Sequence, residues 1–257
     1  MTHEARPVVL LPGGVLPAQP AYEALLAELG DQVDARAKDL EMYAGEAVPP
    51  AGYSLETEVE GILRTAADAG FETFHLVGYS AGGASSLAFA ARHPERLRSL
   101  ALLEPAWAGP GSSAEEAAVY ERLRSIADLP PDQVMPTFVK LQLAPGVDPP
   151  PLRPGPPPPW MASRLTAMRV FPDVLAASEL DFGALRRFTR PVYFALGGRS
   201  NPDLYLRIAQ RLAETFADFT LDVFPDRHHF DPPHRIEPAR LAVALRCLWD
   251  RAEAGTT

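Results

Sequence analysis

The segment GYSAGG, residues 78–83, places a serine between glycines directly after the apolar run FHLV. The run predicts a buried strand, and the alanine-rich stretch after it predicts a helix that ends before Pro94. A serine at such a turn holds its Oγ above the sheet, beside a helix N-terminus that favours negative charge. Gly78 and Gly82 leave room for strand and helix to pack closely. Ser80 is therefore a candidate nucleophile; the alternative is a glycine-rich turn with a serine N-cap.

Strand-like and helix-like segments alternate along most of the chain. The predicted strands are PVVLLPGG, QVDARAKDL, FHLVGYS, LRSLALLEPAW, RPVYFALGG and FTLDVFP. The predicted helices between and after them are PAYEALLAELG, SLETEVEGILRTAADAG, AGGASSLAFAARH, DLYLRIAQRLAETF and EPARLAVALRCLWDRA. Gly30 and Gly70 are expected to end the first two helices, and Ser54 and Thr57 compete as N-cap of the second. The alternation predicts an α/β fold with a parallel sheet and helices on both faces.

Composition narrows the possible partners and compartments. The chain has 257 residues, 47% of them hydrophobic, and a net charge of −9 with no dense basic stretch, so nucleic acid is a poor candidate partner. A single cysteine, Cys247, excludes an internal disulfide, and its apolar surroundings predict a buried thiol. No signal-peptide core is visible at the N-terminus, and no apolar run approaches the roughly 18 residues of a membrane span. We expect a cytoplasmic protein without a membrane partner; the oligomeric state is not readable.

The alternation breaks between residues 107 and 188. Two helical patterns, SSAEEAAVYERLRSIADL and WMASRLTAMRVFPDVLAASEL, flank a stretch with nine prolines between Pro145 and Pro159. That stretch is expected to be extended and semi-rigid. We predict a helical, proline-rich cap at residues 107–188 on a core formed by residues 1–106 and 189–257. Apolar residues that could form its underside, or pack it onto the core, are Leu123, Phe138, Leu141, Trp160, Met161, Leu165, Met168 and Phe171.

In order and position, LLPGG, GYSAGG, HPERLRSLALLEP and HHFDPPHRIEP resemble the α/β-hydrolase fold family, in its serine-nucleophile branch, over nearly the whole chain. The resemblance implies a sheet of about six mostly parallel strands. The family's first two antiparallel strands are missing, because residues 8–11 already resemble its third strand. The predicted cap then follows the strand that ends at Glu104.

The resemblance also implies an oxyanion hole made by two backbone N–H groups. One comes from the residue after the nucleophile, Ala81, and one from the early loop, Gly14, with Val15 as the alternative. This loop departs from the family because Pro12-Gly13 replaces the usual His-Gly dipeptide. A plain strand-end turn is an equally good interpretation of the loop by itself.

The family's general base is a histidine after the last strand, where this chain has His228, His229 and His234. An aromatic or aliphatic residue usually follows that histidine, and Phe230 follows His229. We therefore predict that His229 is the base and that His228 flanks the site. For His234 we expect a surface or capping role.

The acid is harder to assign. The commonest family position follows the strand RPVYFALGG, and this chain has Ser200 there, which carries no charge. Glu104 ends the strand after the nucleophile helix, a position that some branches use, and an isolated glutamate there needs a partner. We predict Glu104 as the acid; the alternatives are Asp203, where helix capping is the plainer role, Asp231, or a Glu104 turned to solvent.

These residues predict a carboxylesterase-like serine hydrolase that cleaves a small, hydrophobic ester, thioester or lactone without cofactor or metal. Acyl transfer, carbon–carbon bond hydrolysis and cofactor-free oxygen chemistry are alternatives on the same triad. A non-catalytic ligand-binding protein is the alternative from another class, since a fold does not dictate function. The sequence does not identify the substrate.

Overall fold

The computed structural model describes residues 5–44, 49–110, 113–151 and 155–255, which form one six-stranded sheet. The strands are β1 (Arg6–Leu11), β2 (Val33–Ala37), β3 (Phe74–Tyr79), β4 (Leu97–Leu103), β5 (Val192–Gly197) and β6 (Phe219–Phe224). Their order is β2-β1-β3-β4-β5-β6, and every neighbouring pair is parallel. The prediction of about six parallel strands is therefore confirmed.

Helices cover both faces of the sheet. In chain order they are α1 (Ala18–Leu29), α2 (Leu55–Asp68), α3 (Ala81–Arg92), α4 (Ala114–Arg124), α5 (Pro131–Leu141), α6 (Met161–Ala176), α7 (Phe182–Arg186), α8 (Arg207–Thr215), α9 (Pro233–Ile236) and α10 (Pro238–Ala254). Successive strand residues point to opposite faces, so Val8 and Leu10 share a buried cluster with α1 and α10, while Val9 and Leu11 belong to the cluster on the other face, with α2 and α3. No helix in the described part of the chain is long and apolar enough to cross a membrane.

The ends of α1 and α2 follow the local sequence. Gly30 and Gly70 come after these helices with φ of +57° and +72°, a conformation that glycine adopts without strain. Ser54 is the N-cap of α2, and its backbone N–H donates to Thr57 Oγ1 at 3.2 Å. The two predicted competing caps are thus partners in one capping box.

The side chain of Cys247 is exposed, so the prediction of a buried thiol is wrong. The buried residues of α10 include Leu241, Leu245, Leu248 and Trp249, whose spacing of three or four residues defines one face of the helix. Cys247 lies on the opposite side. An apolar neighbourhood in sequence is therefore a poor guide here, since only one face of the helix meets the sheet.

Helices α4 to α7 lie between β4 and β5, within residues 107–188; residues 111–112 and 152–154 of the predicted cap lie outside the described residues. The sequence analysis anticipates α4 and α6 but misses α5. Pro131 is the first residue of α5, where a missing N–H costs nothing, whereas Pro136 stands inside the helix. Helix α6 likewise continues through an interior proline, Pro172.

A buried ion pair joins α4, one of the inserted helices, to α8, which packs on the sheet. Both oxygens of Glu116 in α4 accept from Arg211 in α8, at 2.7 and 2.8 Å, and Arg211 Nε donates to the carbonyl of Ala108 at 3.1 Å. This bidentate geometry fixes the position of α4 over α8.

Candidate active site

Ser80 occupies the turn between β3 and α3. Its φ is +53°, and its backbone is tied to the end of the neighbouring strand: Ser80 N donates to Leu103 O at 3.1 Å, and Ala106 N donates to Ser80 O at 2.8 Å. Among the described residues, Ser80 and Glu104 are the only non-glycine residues with a left-handed φ. Such strain persists where surrounding contacts enforce it, and it is concentrated at functional sites.

Two glycines allow the turn to be this tight. A Cβ atom on Gly82 would stand 2.6 Å from the carbonyl oxygen of Pro12, and one on Gly78 would stand 2.5 Å from the carbonyl oxygen of Gly82. Both distances are shorter than van der Waals contact. The glycines that flank Ser80 are thus required by the close approach of α3 to β1 and β3.

His229 lies in the loop after β6, and its imidazole is buried beside Ser80. Its Nε2 is 3.0 Å from Ser80 Oγ, and its Nδ1 is 3.0 Å from Glu104 Oε2. With the proton on Nδ1 donated to the carboxylate, Nε2 is free to accept the serine proton. The predicted nucleophile, base and acid therefore lie in one hydrogen-bonded line.

Glu104 immediately follows β4, between the ends of β3 and β5, with a φ of +45°. While Oε2 faces His229, Oε1 accepts the backbone N–H of Gly197 at 2.8 Å. Both carboxylate oxygens of this buried side chain therefore have a hydrogen-bond partner. These partners offset the free-energy cost of burying a carboxylate.

Neither alternative acid is hydrogen-bonded to the His229 ring, whose partners among the described residues are Glu104 and Ser80. Asp203 is exposed, and its backbone N–H donates to Asn201 Oδ1 at 3.0 Å at the start of a π-helix (Pro202–Leu206). Asp231 accepts from Arg227 at 2.6 Å. Ser200, in the family's usual acid position, is buried, and its Oγ has no hydrogen-bond partner within the described chain.

Two tyrosines that the sequence analysis did not single out enclose the imidazole. Tyr205 stacks on His229 with ring centroids 4.5 Å apart and planes inclined by 13°, and its hydroxyl donates to Gln142 Oε1 at 2.6 Å. Tyr79, the residue before Ser80, donates its hydroxyl to the His229 carbonyl oxygen. Burial, reinforced by the charge of Glu104, raises the pKa of Tyr79 and of Tyr205, so both hydroxyls stay protonated donors. Of the two, only Tyr79 could have been found from the sequence, because it directly precedes Ser80 in the motif.

The two other late histidines have different surroundings. His228 is buried beside the site, where Phe230 N donates to its Nδ1 at 3.2 Å and burial lowers its pKa. His234 is fully buried between Tyr22 and Tyr79, so the expected surface or capping role is wrong. Desolvation lowers the pKa of His234 to about 3, so it is neutral at physiological pH.

The candidate oxyanion donors lie beside Ser80. Ala81 N is the first N–H of α3, so it has no acceptor within the helix. Gly14 and Ala81 both line the cavity that reaches Ser80. The Gly14 carbonyl accepts from Tyr43 at 2.6 Å, which fixes the plane of the peptide that carries the Val15 N–H.

The empty space in and above the cavity, open solvent included, totals about 590 Å³. Its walls are mainly apolar and come from the early loops, the inserted helices and the segment before α8; they include Met42, Tyr120, Leu123, Phe138, Ala167, Met168, Phe171, Leu175 and Leu204. Of the predicted cap underside, Leu123, Phe138, Met168 and Phe171 line it. No cluster of three or more histidine, cysteine, aspartate or glutamate residues that could bind a metal occurs within the described ranges.

Comparisons with known proteins follow this geometry. The family model described as "alpha/beta hydrolase fold" matches residues 56–138, which include β3, Ser80, α3 and Glu104. No curated protein matches the sequence.

Similar solved structures cover almost the whole chain. A bacterial membrane phospholipase A, described as a virulence factor, is 20% identical, with a TM-score of 0.72 over 98% of this chain and 81% of its own. A Bacillus subtilis carboxylesterase is 17% identical, with a TM-score of 0.66 over 95% of this chain and 84% of its own. A thermophilic esterase from Thermogutta terrifontis is 21% identical, with a TM-score of 0.67 over 98% and 92%. At these identities the similarity shows the fold.

Proposed function

Because this chain belongs to the α/β-hydrolase fold, we propose that it is a serine hydrolase with Ser80 as nucleophile, His229 as base and Glu104 as acid. Its proposed substrate is a small, mainly hydrophobic ester, thioester or lactone. The observation that carries the proposal is the hydrogen-bonded line from Glu104 Oε2 through the imidazole to Ser80 Oγ, with two distances of 3.0 Å.

In the proposed reaction, His229 Nε2 takes the Ser80 proton as Oγ attacks the acyl carbon. The imidazolium then gives that proton to the leaving oxygen or sulfur as the bond to the acyl carbon breaks, which leaves an acyl-serine. Water attacks this ester with His229 again as base, and the acid product departs as Ser80 regains its proton. Glu104 keeps the Nδ1 proton in place and stabilises the imidazolium.

The tetrahedral intermediate needs donors for its negative oxygen. Ala81 N–H and the Gly14 N–H are the proposed pair, with the Val15 N–H as the alternative from the same loop. The N-terminus of α3 adds a favourable electrostatic potential at this point.

The apolar cavity supports a hydrophobic group in the substrate. The similar solved structures include proteins described as a phospholipase, a carboxylesterase and an esterase, which agrees with an acyl ester. Residues 107–188 are proposed to form a cap that sets the size of this group, because α4, α5 and α6 each contribute side chains to the cavity wall. We also propose that the protein is cytoplasmic and acts on a small molecule.

A fluorophosphonate probe tests the nucleophile, and p-nitrophenyl esters of increasing chain length test turnover. Wild type should be labelled and should hydrolyse the esters, whereas Ser80→Ala should do neither while it keeps the wild-type melting temperature. Ser200→Ala, another buried serine beside the site, is the matched control and should still be labelled. Labelling of Ser80→Ala equal to that of wild type would reject Ser80 as the nucleophile.

A further inference from the structure

Arg164, in the first turns of α6, is a buried cation on the cavity side of that helix. Only 4% of its surface is exposed. Ala167, Met168, Phe171 and Leu175 of the same helix line the cavity. Spacings of 3, 4, 7 and 11 residues place these four side chains on the same helical face as Arg164. Arg164 itself does not line the cavity, but it lies on the face of α6 that does, behind the cavity-lining ring of Tyr43.

The guanidinium of Arg164 lacks the partner that a buried arginine normally has. Within the described part of the chain, no carboxylate lies within 4.0 Å of it, and its buried Nε and Nη1 have no hydrogen-bond acceptor. Its close contacts are aromatic: the guanidinium carbon stands 3.4 Å from the ring centroid of Tyr43 and 5.7 Å from that of Trp160. A ring face offsets part of the charge but accepts no strong hydrogen bond.

Neighbouring buried charges show what a structural pair looks like in this protein. Arg211 donates two hydrogen bonds to the Glu116 carboxylate. Glu58, whose charge acts on Tyr43, accepts from Tyr53 at 2.8 Å and lies 3.7 Å from Lys38. Among the described residues Arg164 has no such partner, and burying a charge without one is costly.

We propose that Arg164 binds a carboxylate group of the substrate. This rests on the proposed serine hydrolase function and narrows its substrate class to esters that carry a carboxylate as well as an apolar part. Tyr43 connects the two regions, because its ring stacks on Arg164, its side chain lines the cavity, and its hydroxyl holds the Gly14 carbonyl beside Ser80. A planar carboxylate matches the fork of guanidinium donors.

The first test measures binding without turnover. Monomethyl adipate should raise the melting temperature of Ser80→Ala by mass action. It should not raise that of Ser80→Ala/Arg164→Met. Ser80→Ala/Arg122→Met is the control, since Arg122 is an exposed arginine of the same inserted helices, and it should respond like Ser80→Ala. An equal response of the Arg164→Met variant would overturn the proposal.

The second test is the ratio of kcat/KM for matched charged and neutral esters. One pair, the mono-p-nitrophenyl ester of adipic acid and p-nitrophenyl hexanoate, carries the charge on the acyl side. The other, 4-acetoxybenzoate and phenyl acetate, carries it on the alcohol side. Arg164→Met should lower the charged-to-neutral ratio at least about tenfold for one pair, and Arg122→Met should leave it unchanged. Arg164→Lys, which keeps a cation, should retain part of the preference.

An unchanged ratio for both pairs in Arg164→Met would refute the carboxylate site, provided Ser80 is still labelled by the fluorophosphonate. If instead wild type neither labels nor turns over any ester, the serine hydrolase proposal fails. The adipate response of the Ser80→Ala variants still decides the role of Arg164 in that case.

Discussion

Glu104→Gln tests the acid with little change of shape. In the wild type the two carboxylate oxygens accept from Gly197 N at 2.8 Å and from His229 Nδ1 at 3.0 Å. A glutamine has only one such oxygen. If that oxygen faces Gly197, its NH₂ group faces Nδ1, which must then lose its proton. The opposite rotamer sets two N–H groups against each other at Gly197.

The structure therefore predicts the wrong imidazole tautomer in Glu104→Gln. A proton forced onto His229 Nε2 faces Ser80 Oγ, so the imidazole cannot accept the serine proton. The variant also lacks the negative charge that offsets the imidazolium. Amide replacement of the acid in other triads lowers kcat about 10⁴-fold, which corresponds to about 5.4 kcal/mol of barrier. We expect a loss of the same order here.

The assay is kcat for the best p-nitrophenyl ester, together with the melting temperature to show that the fold is kept. Asp203→Asn and Asp231→Asn are the controls and should change kcat by only a few-fold, because neither carboxylate is bonded to the imidazole. A Glu104→Gln enzyme with more than about a tenth of wild-type kcat would refute the tautomer argument. So would a large loss in either aspartate variant with none in Glu104→Gln.

Three further expectations concern the histidines and the proline-rich segment. His229→Ala should lower kcat by about 10³-fold or more, and His228→Ala far less; the reverse ranking in an ester assay would place the base one residue earlier. His234 binds no proton in the folded state until about pH 3, whereas the unfolded chain binds it near pH 6.5, so stability is lost as pH falls below 6.5. Between pH 7 and pH 5, urea titrations should therefore show wild type losing about 2 kcal/mol more than His234→Phe, and equal losses would contradict this. Shortening residues 149–159 should change KM and chain-length preference more than the rate of Ser80 labelling, and complete loss of folding would show this segment to be core.

Much of the fold and part of the site could be predicted from local sequence. Strands β1, β3, β4 and β5 are short, mainly apolar runs. The serine turn requires glycine at fixed positions because two backbones approach closely there. His229 lies in the short loop after β6, so a short-range pattern was enough to select it. These features share one property: the residues that define them are neighbours in the chain.

Features that depend on distant contacts were missed. The burial of His234 and the exposure of Cys247 depend on which side of the polypeptide meets the rest of the fold. Tyr205 stacks on His229 through a π-helix whose register no pattern indicated. Arg164 looks like one more surface arginine in the sequence, and only the packing of α6 beside Tyr43 buries its charge.

The position of Glu104 follows from how neighbouring strands end. Ser80 and Glu104 come directly after the adjacent strands β3 and β4, and both have a left-handed φ. Hydrogen bonds from Ser80 N to Leu103 O and from Ala106 N to Ser80 O lock the two turns together. The glutamate then reaches from β4 to the N–H of Gly197 at the end of β5. The family's usual acid follows this same strand. Because the strained turn aims the carboxylate at both β5 and the imidazole, an uncharged Ser200 is compatible with the proposed triad.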